Sequence, residues 1–382
     1  MDYCARERGV IDTRISESEC PDCEPLPSSP TGSGRLHLWF SLGHSAKKLR
    51  IFLGRGRWRA HEATEDGRVL IHVDEGGWGS LLDELSDLFS PAELDDITAL
   101  CKAGFDEPAS SDFPDVYSLK QLVASARSDW LLAMLLGRRL TCVFQPIVRA
   151  DNPASVYGQE CLLRAKAPDG SLVTAGPILR AAREAGLLAQ TDLAARHAAV
   201  REAAGHGFGG HLFINIAPAS VHDPATCLRS TVCSIDAAGI PRDKVVFEIT
   251  EADEAVDPLS LKALGDYCRK NGFRVALDDV GSGYSSLNLI HRLRPDLLKL
   301  DMDLVRGVDR DPYKATVARK VIELARDLGA STIAEGVETL GEMTWVRDHG
   351  ATLAQGWFIA KPANPPIRDT PTRTDDSTAM LA

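Results

Sequence analysis

Eight short apolar segments follow one another between Thr141 and Phe358, and this recurrence limits more than any other feature how the chain can fold. Most are separated by a stretch long enough for a helix, so strands and helices are predicted to alternate. Segments that are apolar almost throughout suit strands buried on both faces, which in an α/β protein means a parallel sheet. Eight such units predict a TIM-type (β/α)8 barrel. In order, the segments are VFQPIV, YGQECLLR, LFINIAP, VVFEITE, FRVALDDVGSG, LLKLD, STIAEGVE and LAQGWF.

Most of these segments carry a polar side chain at one end. In a TIM-type barrel the carboxyl ends of the strands converge on one rim, so these side chains are predicted to form one site. Adjacent Asp278 and Asp279 can both reach that site only where their strand ends, because successive strand residues point to opposite faces. The predicted rim residues are Glu160, Asn215, Glu248, Asp278, Asp279, Lys299, Glu335 and Gln355.

Five carboxylates on one rim would repel one another, and burying them is costly unless cations share the site. All the candidate ligands offer oxygen, which favours hard cations such as Mg²⁺ or Mn²⁺. Two such ions form a common clamp for in-line displacement at phosphorus, and Lys299 would add a positive charge or orient the attacking water. The expected metal ligands are Glu160, Asn215, Glu248, Asp278, Asp279 and, as a further candidate, Glu335.

Each of these residues also has a plainer interpretation. A strand-end acid is usually a solvated loop carboxylate, Asn215 suits a turn before Pro218, and Lys299 could be a surface amine. Because polar residues recur at the same position of six strand ends, one shared site is favoured over these separate interpretations. Gln145 and Gln355 are expected to support it by hydrogen bonds.

The segment from about Leu140 to Pro362 resembles the EAL domain, a family of phosphodiesterases acting on the bacterial second messenger cyclic di-GMP. The family's Glu-Ala-Leu signature stands here as Glu160-Cys161-Leu162. The other matching motifs are FQPIV, FINIAP, FEITE, LDDVGSGYSS, KLD, AEGVE and QGWFIAKP. Two positions depart from the pattern, since Cys161 replaces alanine and Val280 replaces the usual phenylalanine. The middle residue of the triplet points away from the face of Glu160, so we expect catalysis to tolerate the cysteine.

The resemblance implies hydrolysis of cyclic di-GMP to linear pGpG, with two Mg²⁺ or Mn²⁺ ions held by all six ligands. It identifies Glu251 with the residue that anchors the loop after Asp279, and it places Arg164 on a substrate phosphate, which its planar fork matches. The implied catalytic residues are Glu160, Glu251, Asp279, Lys299, Glu335 and Gln355. The implied substrate contacts are Gln145, Leu162, Arg164, Asp301 and Gly356.

The family also implies an alternative function. Degenerate relatives that have lost metal ligands bind cyclic di-GMP without cleaving it and act as receptors. Because this chain keeps every ligand position, we expect an enzyme. Many relatives work as dimers, so a homodimer is a further expectation from the resemblance.

The 382 residues exceed the roughly 250 that one barrel needs, so a second domain is expected. LHLWFSL, KLRIFLG, WRAHEA and RVLIHVD predict short strands, and WGSLLDELSDLFSPAELDDITALCKAG predicts helix, with a new start at Ser90, Pro91 and Glu93. A further helical pattern covers residues 118–136. The predicted parts are a flexible cysteine-containing tail (1–35), a small α+β regulatory or protein-docking domain (36–104), a linker and the start of a connecting helix (105–125), the barrel (126–366) and a disordered tail (367–382).

Composition narrows the function classes. The formal net charge of −11 disfavours binding to a nucleic-acid polymer, which normally needs a basic face. Nine scattered cysteines suit reduced thiols in the cytoplasm, although Cys4, Cys20 and Cys23 leave open a zinc site, redox sensing or an unstructured tail. Apolar stretches of about 18 residues and a signal-peptide pattern are both lacking, so we expect a cytoplasmic protein without a membrane span.

Overall fold

The computed structural model describes residues 32–62, 67–104, 107–207, 209–250, 258–281 and 286–370. These form two compact units. One comprises the described residues of 138–175 and 189–370, and the other those of 32–137 and 176–188. The predictions made for Cys4, Cys20, Cys23 and Glu251, and for most of both tails, lie outside the described residues.

The smaller unit contains a five-stranded antiparallel sheet in the order β2-β3-β1-β4-β5. Its first four strands and their helices have the split βαβ arrangement of ferredoxin-like folds. One face of the sheet packs Leu36 and Leu38 against Leu81 and Leu85 of a helix, which gives the unit its own apolar core. The elements are β1 (Gly34–Trp39), α1 (Gly43–Leu53), β2 (Arg59–Glu62), β3 (Val69–Val73), α2 (Trp78–Leu88), α3 (Pro91–Asp96), β4 (Thr98–Ala103), β5 (Val116–Ser118), α4 (Leu119–Arg127) and α5 (Asp129–Leu136).

Two predictions for this unit were wrong. KLRIFLG lies in α1 and is not a strand, because Ser45, Ala46 and Leu49 bury one helical face while Ile51 is exposed. The end of the predicted helical stretch forms β4, whose backbone pairs along the whole of β1. The helix start at Ser90 is confirmed, with a capping box completed by Glu93.

The region between the two predicted domains is more structured than expected. β5 pairs with β4, and α4 packs Leu119 and Leu122 into the core of the smaller unit. The helical pattern over residues 118–136 is interrupted at Ser128, which separates α4 from α5. The domain boundaries themselves stay predictions.

The larger unit is a closed eight-stranded barrel, as predicted, and each of the eight apolar segments supplies one strand. The strand order is β6-β14-β13-β12-β11-β10-β9-β7, and β6 pairs with β7 to close the ring. Its elements, with the adjoining β8, are β6 (Leu140–Arg149), β7 (Val156–Lys166), β8 (Leu172–Thr174), α7 (Leu188–His206), β9 (His211–Ile216), α8 (Pro224–Cys227), α9 (Arg229–Ala237), β10 (Val245–Thr250), α10 (Pro258–Lys270), β11 (Arg274–Val280), α11 (Ser286–Leu293), β12 (Leu297–Leu300), α12 (Met302–Val305), α13 (Pro312–Asp327), β13 (Ser331–Ala334), α14 (Leu340–Asp348) and β14 (Leu353–Ala354). Between β8 and α7 in the sequence, α6 (Ala175–Glu184) belongs to the smaller unit from Gly176 onward.

The barrel departs from the predicted all-parallel sheet at one strand. β6 runs antiparallel to both neighbours, β7 and β14. The chain passes from β6 to β7 through residues 150–155, and so short a connection joins only antiparallel strands. None of the helices in the described ranges is long and apolar enough to cross a bilayer.

Candidate functional site

The barrel interior consists of two layers of side chains, and strand residues two positions apart in the sequence contribute to different layers. The lower layer is apolar and plugs the barrel with one buried side chain from each of seven strands, namely Ile147, Phe213, Val246, Ala276, Leu297, Ile333 and Leu353. Since strand residues two apart share a face, the residue two positions later on each parallel strand lies directly above this layer. Those residues are Asn215, Glu248, Asp278, Lys299, Glu335 and Gln355.

The remaining two strands complete the polar layer. On antiparallel β6, Gln145 precedes the apolar-layer residue Ile147 and pairs in register with Glu160 of β7. All eight strands therefore contribute a polar side chain to one end of the barrel, which agrees with the convergence expected from the sequence.

Lys299 occupies the centre of this layer and is almost fully buried. Its Nζ lies 2.8 Å from Oε1 of Glu248, 3.0 Å from Oδ1 of Asp278 and 2.7 Å from Oε1 of Glu335. Oε2 of Glu160 is farther away, at 3.8 Å. The lysine is thus the counterion of the acids, and not the surface amine of the plainer interpretation.

Amide side chains hold the carboxylates of Glu160 and Glu248 in place by hydrogen bonds. Asn215 donates from Nδ2 to Glu160 at 3.2 Å and to Glu248 at 3.3 Å. Gln355 donates from Nε2 to Glu160 at 2.7 Å and to Oε1 of Gln145 at 3.3 Å. These bonds fix the carboxylate of Glu160 from two sides.

The paired aspartates lie where β11 becomes irregular. Register with β12 shifts between Leu277 and Val280, and Asp279 has a φ of 57°. The amide of Asp279 donates to its neighbour's carboxylate, Oδ1 of Asp278, at 3.0 Å. Because of this irregularity, ligand oxygens of Asp278, Asp279 and Glu335 come within 4.8 Å of one another.

The charges of the site are unbalanced. Burial, together with the negative charge of Glu160, raises the pKa of Glu248 well above its ordinary value, and burial does the same for Glu335. Burial and the charge of Asp278 raise the pKa of Asp279 to about 6. Burial also acts on Glu160, but attraction to Lys299 and amide hydrogen bonds leave its pKa below the ordinary value. One ammonium does not neutralise five carboxylates.

The donor set fits divalent cations. Fully ionised, the five carboxylates and Lys299 carry a formal charge of −4, which two divalent ions would balance. Every candidate ligand is an oxygen donor, as Mg²⁺ and Mn²⁺ require. In addition, Oε1 of Gln355 is buried and accepts no hydrogen bond from the described residues. That atom is available to a water molecule or ligand.

Four of the five proposed substrate residues lie outside this hydrogen-bonded centre, whereas Gln145 belongs to it through the hydrogen bond from Gln355. Arg164 is half-buried and donates to the carbonyl of Leu163 at 2.7 Å. Asp301 accepts from the amide of Asp303 and so caps α12. Among the described residues, neither Arg164 nor Asp301, nor Leu162 or Gly356, shares a hydrogen bond or ion pair with the central acids. Their substrate roles stay predictions.

Gly356 has a structural reason to be glycine. A Cβ at this position would lie 2.1 Å from the carbonyl oxygen of Val337, which is far inside contact distance. The same pair of segments is joined by a hydrogen bond from the amide of Val337 to the carbonyl of Gln355, at 3.0 Å. Close approach of the two backbones therefore positions Gln355.

Asp192 of α7, which supports the site, was not predicted from the sequence. Its Oδ1 accepts the amide of Ala217, two residues beyond Asn215, and its Oδ2 accepts the hydroxyl of Ser220. Arg196, buried one turn later, pairs with Asp192. An acid within a helix carries no such signal of its own, because the segment that Asp192 holds is distant in the sequence.

The comparisons with known proteins agree with this architecture. The family described as "EAL domain" matches residues 128–362. The probable cyclic di-GMP phosphodiesterase PdeG of Escherichia coli is 30% identical over 225 residues, covering 57% of this chain and 44% of the relative. The probable cyclic di-GMP phosphodiesterase PdeB of the same species is 31% identical over 232 residues, covering 59% and 43%. The chain thus spans less than half the length of these relatives.

Solved structures show the same barrel. A standalone EAL protein from Vibrio cholerae, solved in its form bound to c-di-GMP, aligns with a TM-score of 0.56 and 31% identity. That alignment covers 61% of this chain and 95% of the other.

Proposed function

Because the chain belongs to the EAL domain family, we propose that it hydrolyses cyclic di-GMP to linear pGpG with the help of two divalent metal ions. The observation that carries this proposal is the complete acidic ring around Lys299, formed by the carboxylates of Glu160, Glu248, Asp278, Asp279 and Glu335. Each family ligand position holds its oxygen donor, and five strands present these six donors at one end of the barrel. The names of the relatives and the bound nucleotide of the Vibrio cholerae protein support the choice of substrate.

The metal ions would be held by Glu160, Asn215, Glu248, Asp278, Asp279 and Glu335. When bound, two such ions lower the pKa of a water nucleophile and neutralise charge on the phosphoryl oxygens. As a support for this assignment, no described residue of the ring offers sulfur or imidazole, which would favour softer metals.

Two further residues at this end of the barrel, Gln355 and Lys299, orient the acids and balance their charge. Gln355 orients Glu160 by its Nε2 hydrogen bond and presents a free Oε1 to the attacking water. Lys299 would stay protonated, since the four acids around it raise its pKa well above the ordinary value although burial opposes this. A protonated lysine stabilises negative charge and cannot act as a general base.

A non-catalytic receptor for cyclic di-GMP is the second candidate. A receptor needs no metal ligands, whereas a ring of buried acids is unfavourable for an anionic ligand unless cations are present. The retention of all five acids therefore favours the enzyme.

We also propose that the smaller unit regulates the barrel, that the protein acts in the cytoplasm and that it forms a homodimer. The first point is supported by the separate core of that unit, and the last by the family resemblance alone.

Asp278→Asn tests the assignment of the ring. It should abolish metal-dependent turnover and weaken binding of Mn²⁺, since it removes one charge from the ligand cluster. The matched control is Asp348→Asn, which alters an exposed aspartate paired with Arg347 and should leave turnover unchanged. Turnover by Asp278→Asn at the parent rate would show that this residue is not a ligand.

A further inference from the structure

A row of basic side chains crosses four neighbouring strands in the smaller unit. Arg59 pairs in register with His72, His72 with Arg35, and Arg35 with Lys102. Cross-strand partners point to the same face, and this face is opposite to the one that packs Leu36 against the helices. The like charges of Arg35 and Lys102, which lie directly opposite one another, would destabilise the sheet without acidic partners.

Two carboxylates face the buried end of this row, because Glu107 lies beside Arg35 and Arg68 while Asp112 pairs with Nζ of Lys102. Glu107 accepts from Nη1 of Arg35 at 3.3 Å and pairs with Nη2 of Arg68, and its backbone carbonyl accepts from Nζ of Lys102 at 3.0 Å. The side chains of the three cations are only 17%, 15% and 19% exposed, whereas that of Glu107 is 60% exposed. Buried cations thus lie beneath an exposed carboxylate.

His37 lies within the same face. It follows Arg35 by two residues on β1, and it pairs with Leu70, two residues after Arg68. Its side chain is fully buried, and neither ring nitrogen has a hydrogen-bond partner among the described residues. Burial, then the charge of Arg68, lowers the pKa of His37 to about 4, while Glu107 opposes the shift. The field at this histidine is therefore positive, and the ring is a neutral donor without an acceptor.

We propose that this face binds a phosphate group, and that the carboxylate of Glu107 occupies the site when the ligand is not bound. Two arginine forks and one ammonium surround the position. The two oxygens of Glu107 serve Arg35 and Arg68, so Lys102 bonds the carboxylate of Asp112 and the backbone carbonyl of Glu107 instead. A tetrahedral phosphate offers two oxygens to the arginine forks and further oxygens to Lys102, whose ammonium also pairs with Asp112. It would also accept the ring N–H of His37. The ligand proposed for the smaller unit is therefore a phosphorylated small molecule.

Titration of the full-length chain with inorganic phosphate tests this proposal. EDTA in the buffer prevents phosphate from binding through metal ions in the barrel. Glu107→Gln keeps the size of the side chain and removes its charge, so it should bind phosphate about tenfold or more tightly than the parent, as expected for losing one charge-assisted competitor. The matched control is Asp83→Asn, because Asp83 is 63% exposed and also pairs with an arginine, Arg127. It should bind phosphate as the parent does.

A thermal unfolding measurement distinguishes a ligand site from a purely structural role, in which Glu107 acts as a clamp that holds its own segment on the sheet. Glu107→Gln should unfold at a lower temperature than the parent in chloride, and phosphate at equal ionic strength should restore the difference. Adding Arg68→Gln should remove both effects. Equal phosphate binding by the parent, Glu107→Gln and Asp83→Asn would overturn the proposal and leave Glu107 as a clamp. Acetate binding as tight as that of phosphate would overturn the assignment to a phosphate group.

Discussion

Replacing Lys299 by methionine tests whether one buried ammonium holds the acidic ring together. Methionine keeps most of the length of the side chain and removes its charge. The Nζ lies within 3.0 Å of three carboxylates. At about 1.5–3 kcal/mol for each charge-assisted hydrogen bond, the gross loss is roughly 5–9 kcal/mol. Relief from burying the ammonium returns several kcal/mol, so the free energy of unfolding should fall by about 3–5 kcal/mol.

The assay is urea unfolding at pH 7.5 in EDTA, followed by circular dichroism and extrapolated to zero denaturant. Lys320→Met is the matched control, because Lys320 is 66% exposed and pairs with Glu323 at 2.7 Å on the surface of α13. It should change the free energy of unfolding by less than about 1 kcal/mol. The loss in Lys299→Met should shrink at pH 5, since Glu248 and Glu335 have raised pKa values and are more easily neutralised by protons there. A loss for Lys299→Met no larger than that of the control would refute the role of Lys299 as counterion.

Three further outcomes follow from the site. Cys161→Ala should keep turnover within about twofold of the parent, measured as pGpG formation, because the thiol packs in the core outside the barrel interior; a large change would show that the cysteine is functional. Mn²⁺ binding, measured by calorimetry, should weaken by up to about tenfold per pH unit below pH 6. The reason is that the pKa of Asp279 is raised to about 6 and its proton must leave before the metal binds. A Mn²⁺ affinity independent of pH would contradict this. Gly356→Ala should destabilise the protein by about 1–3 kcal/mol and lower kcat more than it changes KM, because its Cβ would displace the backbone that positions Gln355; parent-like stability and kinetics would contradict the close approach.

The sequence predicted the barrel because its signal is local and repeated. Each of the six strands from β9 to β14 pairs a buried apolar residue with a polar one two positions later, as Val246 and Glu248 do, and this period-2 pattern is detectable in a short segment. The antiparallel direction of β6 was not predicted, because the apolar run VFQPIV reads the same in either direction. The short connection of residues 150–155 was the available clue.

The smaller unit was harder to predict because tertiary packing decided its elements. KLRIFLG alternates well enough for a strand, yet α1 buries Leu49 and leaves Ile51 in solvent. Asp192 shows the same limit at the site. Its partners are the amide of Ala217 and the hydroxyl of Ser220, which are brought to it only by the packing of α7 beside β9.

The most direct test of the account is hydrolysis of cyclic di-GMP by the full-length protein, with linear product separated by chromatography in Mg²⁺, in Mn²⁺ and in EDTA. We expect pGpG to form with either metal, to be absent in EDTA, and to be absent for Glu160→Gln with metal present. Tight nucleotide binding without turnover under all three conditions would contradict the account and identify a receptor that has kept its acidic ring.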